Sequence, residues 1–145
     1  MLPPKTDWKV SYDAGGNYAG DYLEPADYNR IKNNLCYVKS LIEQLNRNVE
    51  GFQDMGRDVV YGDSMELFAS TFRMLQDNLD VVNQYSMKLK LGEPERFAPN
   101  TTTCLKDELN RIESAGLRLY GVLTGQKRNK LRLKMILGRK GLRVS

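Results

Sequence analysis

Gly62-Asp63-Ser64-Met65 has the form of a hydrolase nucleophile segment, but a serine there needs a histidine to take its proton. The 145-residue chain contains no histidine, so Asp63 and Ser64 are better read as helix caps. The same lack removes the commonest general base and metal ligand. Cys36 and Cys104 stand alone, without the close spacing of a metal or redox pair, and read as small core hydrophobes. Asp54, Asp58 and Asp63 do not follow the alternating oxygen pattern of a calcium loop, so a solvated loop is expected. The glycine-rich stretch from Ala14 to Gly20 lacks the Gly-Lys-Ser/Thr ending of a phosphate loop. Together these residues argue for a protein that is not an enzyme, with no metal, cofactor or small-molecule substrate.

Binding chemistry concentrates at the two ends. Residues 1–113 hold 13 basic and 18 acidic residues, a net of −5, whereas residues 114–145 hold nine basic residues and no acidic one. Lys127, Arg128, Lys130, Arg132, Lys134, Arg139, Lys140 and Arg143 therefore form a tail suited to an anionic surface. It has no aromatic residue after Tyr120, which removes the stacking platform of a single-strand binder. Protein contact is the first reading and nucleic acid the alternative. At the other end Trp8, Tyr12, Tyr18 and Tyr22 lie among glycines and aspartates, which suggests an extended arm with aromatic anchors for a partner.

The elements between them are helical. Tyr28, Ile31, Leu35, Val38, Ile42, Leu45, Val49 and Phe52 recur in steps of three and four, a heptad stripe on one helix face. Pro25 suits the first turn and Asp27 the positive helix end, so a helix is expected from about Pro25 to Val49. A loop over residues 53–62 precedes a second stripe of Met65, Phe68, Phe72, Leu75, Leu79, Val82 and Leu89, ending near Leu91. A third follows Thr101, Thr102 or Thr103 as cap, with Leu105, Leu109, Ile112, Leu119 and Leu123 on one face. Lys130-Leu131-Arg132-Leu133-Lys134-Met135-Ile136 then alternates charged and apolar residues and reads as a strand, half of a short β-hairpin. The first and third helices also match each other at one fixed offset, with Asn29-Arg30-Ile31 over Asn110-Arg111-Ile112 and Val38 over Leu119.

Pro4-Lys5-Thr6-Asp7-Trp8, followed by Asp27-Tyr28-Asn29-Arg30-Ile31-Lys32-Asn33-Asn34, resembles small virion proteins of phages and phage-like particles of Gram-positive bacteria. Asn110-Arg111-Ile112-Glu113 is similar to their second helix opening, and Lys32 stands where glutamate is usual in the first. The resemblance implies a non-catalytic tail, baseplate or fibre-attachment component in the virion, with other tail proteins and further copies of itself as partners. The expected fold is mainly α: an antiparallel three-helix, coiled-coil-like bundle over residues 24–124. An extended N-terminal arm (1–23) precedes it and a basic C-terminal tail (125–145) follows. The antiparallel order rests on reading both connections as short. No apolar run is long enough for a membrane span, so no membrane partner is expected.

Overall fold

The structure is a computed structural model that describes residues 1–9, 11–17, 19–20, 24–45, 47–60, 69–94 and 105–139. Three helices pack against one another: α1 (Pro25–Gln44), α2 (Ala69–Gln84) and α3 (Leu105–Arg139). Pro25 opens α1, and the Asp27 carboxylate accepts the Glu24 backbone N–H at 3.0 Å, satisfying one end donor that the helix itself cannot. The caps expected at Asp63, Ser64 and Thr101–Thr103 lie outside the described residues.

The heptad stripes form the core. Tyr28, Ile31, Leu35, Val38 and Ile42 of α1 meet Phe72, Leu75, Leu79 and Val82 of α2. Leu109, Ile112, Ala115, Leu119 and Leu123 of α3 complete the centre. Apolar side chains at this spacing fall on one side of a helix, and burying them contributes about 25 cal/mol for each Å² removed from water. Val49 and Phe52 continue the first stripe in sequence but lie beyond the helix, half-buried in the chain that follows it. The second helix stops at Gln84, short of the expected Leu91, because the Asn83 side chain takes both backbone groups of Leu89 and folds the chain back. Cys36 points away from the stripe and is exposed, which corrects its reading as a core residue; Cys104 lies outside the described residues.

The helices run parallel, not antiparallel. Arg30 bonds Glu113, the Tyr37 ring lies 6.1 Å from that of Tyr120, and Lys127 donates to Gln44. Residue numbers on α1 and α3 rise together along this ladder, which an antiparallel pair would reverse. The chain after α1 descends between α1 and α2: Gly51 lies against Val81 and Gln53 against Asn78, then Gly56 meets Lys32 and Val59 meets Asn29. It is antiparallel to both helices, so they are parallel to each other. Between the described helices the sequence leaves residues 45–68 and 85–104, each stretch with at least as many residues as α1. At about 3.3 Å per residue either can return along the roughly 30 Å of α1. Their length makes the parallel order accessible.

The expected strand at Lys130–Ile136 is also corrected, because α3 runs unbroken to Arg139. Its alternation has a strand's period, but Leu, Lys, Arg and Met are good helix formers, and Ile136 is its only β-branched residue. Extending an existing helix also avoids a new nucleation step. Lys127 stands beside the end of α1, so α3 overruns its neighbour by about 18 Å. No helix among the described residues is long and apolar enough to cross a membrane.

Candidate partner-binding surfaces

The N-terminal arm occupies the groove between α1 and α3 of its own chain. Trp8 is 5% exposed, and its indole Nε1–H donates to Glu113 Oε2. Asn110 grips the Trp8 backbone on both sides, accepting its N–H at 2.8 Å and donating to its carbonyl at 3.2 Å. Glu113 also accepts the Lys5 N–H at 3.0 Å. Asn34 holds Leu2 as Asn110 holds Trp8, with both bonds at 3.0 Å. Extended backbone needs outside partners for its N–H and C=O groups, and an amide side chain offers one donor and one acceptor at peptide-like spacing.

Arg30 closes the site. Its guanidinium lies 5.9 Å from the Trp8 ring, donates to Glu113 at 2.8 and 3.1 Å, and bonds Asp27 at 2.7 Å. Burial alone would lower the Arg30 pKa, but the bonds to Glu113 and Asp27 hold it above its ordinary value. The planar fork is thus a fixed cation over an aromatic face.

The descending segment 53–59 is gripped in the same way. Asn78 accepts the Gln53 N–H at 2.7 Å and donates to its carbonyl at 2.9 Å, and Asn29 does the same for Val59. Lys32 donates to the Gly56 carbonyl at 3.1 Å and pairs with Asp58 at 2.6 Å. Leu2, Lys5 and Trp8 therefore correspond in order and spacing to Gln53, Gly56 and Val59. Lys32 and Glu113 occupy one position with opposite charge: the cation takes a carbonyl where the carboxylate takes an N–H. The match of the first and third helices extends to the segments they hold.

The other end of the molecule presents α3 to solvent. Leu131 and Leu133 are 63% and 57% exposed, and Met135 and Ile136 are also exposed. At 3.6 residues per turn, Leu131 and Met135 share one side while Leu133 and Ile136 lie roughly opposite. Lys127, Lys130 and Lys134 fill one intervening face, and Arg128 and Arg132 the other. Such a helix has no single apolar side to lay on a flat surface.

Of the residues singled out from sequence, Trp8 is thus buried in its own bundle, and Tyr12 is exposed. Tyr18, Tyr22, Lys140 and Arg143 lie outside the described residues, and Arg139 is the last residue of α3. Lys127, Arg128, Lys130, Arg132 and Lys134 share the overhanging helix. Sequence reasoning missed Arg30, Asn34, Asn78 and Glu113 as grips. Asparagine is a poor helix former, and its recurrence beside the stripes was the available signal.

An open hollow of about 340 Å³ lies beside α1, lined by Lys32, Cys36, Lys39, Phe52, Asp54 and Met55 among others. Partial desolvation raises the Cys36 thiol above its ordinary pKa, with Lys32 and Lys39 opposing, so the sulfur is not tuned as a nucleophile. No group of three or more acidic or cysteine side chains is placed to hold a metal among the described residues. No protein family, curated protein or solved structure matches the chain.

Proposed function

We propose that the protein is a non-enzymatic structural adaptor, a rigid parallel bundle that offers the overhanging part of α3 to a neighbouring protein. The overhang carries this reading. Burying Leu131, Leu133, Met135 and Ile136 would stabilise a complex by roughly 1.5–3 kcal/mol for each side chain fully removed from water. The apolar residues lie on two sides, which fits a partner cleft gripping the helix from both, with acidic rims meeting the basic faces. Arm and helix openings resemble those of phage virion proteins, and on that ground we place the adaptor in a tail, baseplate or fibre-attachment assembly, with further copies of itself nearby.

The direct test is mass spectrometry of purified particles from a producing strain, together with pull-down by the wild-type chain and a Leu133→Ser/Ile136→Ser variant. The chain should be present in particles and capture a virion protein that the variant releases. Absence from particles refutes the assignment. Nucleic-acid binding is the second reading, favoured by the run of bases without an acid. It predicts that duplex affinity falls with salt at a slope of about −0.9 per phosphate neutralised. It also predicts insensitivity to the two serine changes.

A further inference from the structure

The groove that holds the arm has more connecting chain than its geometry requires. Tyr28 and Phe72 hold equivalent core positions, because the stripes Ile31, Leu35, Val38 and Leu75, Leu79, Val82 align in the same register as Asn34 and Asn78. Yet the path from Trp8 to Tyr28 is about half as long again as the path from Val59 to Phe72. The excess lies in a stretch containing Gly15, Gly16 and Gly20. Around it the described residues 11–17 are exposed, and the segment closes backbone bonds on itself from Asp13 to Asn17 and from Ser11 to Ala19. The chain between Trp8 and Pro25 can span about 50 Å. That exceeds the roughly 20–25 Å width of three packed helices.

The groove reads its occupant in a self-contained way. Asn34 and Asn110 take peptide groups, Glu113 takes the Lys5 N–H and the indole, and Arg30 covers the ring. None of these contacts depends on the connection that brings the arm there.

We propose that the α1/α3 groove is a docking site for the arm of a second copy, so that neighbouring copies exchange residues 2–8 and each supplies Trp8 to the other. This inference does not depend on the particle assignment, since it concerns pairs of this chain alone. Slack allows own-arm and exchanged docking to use the same bonds, and the balance between them is then set by concentration. A linker of this length gives an effective concentration of about millimolar, so exchange becomes appreciable where copies are packed together. Exchange of an identical element is a low-cost route to association because the interface already exists.

Trp8 is the only tryptophan, which makes the exchange directly visible. One full-length variant, Trp8→Ala, keeps the groove and has no tryptophan signal. A second, Asn110→Ala/Glu113→Ala, keeps the arm and loses the groove's four bonds to Lys5 and Trp8. Alone, the second should show the red-shifted emission of a wet indole. Titrating in the first should move that emission to the blue, saturating at equal amounts. No shift with both chains at about 1 mM overturns the proposal, as does blue emission from the unmixed groove variant. Sedimentation of the unaltered chain covers the case in which a variant loses its helical circular dichroism. Dimers that grow with concentration and vanish in Trp8→Ala support exchange, and a monomer up to about 1 mM refutes it.

Discussion

Replacing Asn78 by alanine tests whether the asparagine grips hold the fold together. Asn78 is fully buried, and its amide makes both bonds to the Gln53 backbone, at 2.7 and 2.9 Å. Each such bond contributes about 1 kcal/mol net, and a peptide group stranded without a partner costs a further ~1–3 kcal/mol. Gln53 is exposed, so its freed groups can regain water after a small movement, and the lower end of that range applies. Alanine recovers roughly 0.5 kcal/mol as a better helix former. The expected loss is about 2.5 kcal/mol, or roughly 5–10 °C in melting temperature for a chain of this size. Urea unfolding followed by helical circular dichroism measures it, with Asn33→Ala as control. Asn33 donates to exposed Asp58 at the surface and should cost only a small fraction of that loss. A change at Asn78 no larger than the control would refute the grip as a stabilising device.

The remaining predictions address the core, the ion pair, the thiol and the overhang. Leu119→Ala, at a position with no exposure, should destabilise by about 2–5 kcal/mol in the same assay. Hydrogen bonds from Lys32 and Asn33 hold the Asp58 carboxyl below its ordinary pKa. Its contribution is therefore full above the unfolded value and disappears as pH falls through the depressed one. Asp58→Asn should flatten that part of the acid limb, and an unchanged pH profile would remove the pair from consideration. Cys36 should alkylate more slowly at neutral pH than a cysteine in an unfolded peptide, because desolvation raises its pKa. Leu133→Ser/Ile136→Ser should leave the melting temperature of the isolated chain within about 2 °C, since both residues are already in water.

The sequence stripes anticipated the core closely: Ile31, Leu35, Val38, Leu75, Leu79, Val82, Ile112 and Leu119 are all buried where three-and-four spacing puts them. Direction was not legible in the same way. Stripes say which face is apolar but nothing about which way the next helix points, and the connections carry that information. Val49, Phe52 and Met55 are apolar enough to lie against the bundle, and that makes a long loop into a packed return segment. The strand reading of Lys130–Ile136 failed because a two-residue period on a short run cannot outweigh helix propensity and an existing helix upstream. The grip site was half legible: Trp8 and the paired Asn-Arg-Ile openings were visible, but nothing in the sequence pairs Asn34 with the arm at Leu2 or Asn78 with the returning chain at Gln53.

Parallel packing gathers like poles. The amino ends of α1 and α3 lie together with Glu24, Asp27, Asp107 and Glu108, while the carboxyl ends of α1 and α2 meet where α3 passes. Each helix end carries about half an elementary charge, so the aligned dipoles add where an alternating bundle would cancel them. Arg47 donates to the Tyr85 carbonyl at the end of α2, and Lys127 sits beside the end of α1. The first basic residues beyond the bundle therefore neutralise a field that the chain itself creates, and charge from Arg128 onward is what remains to attract anything else.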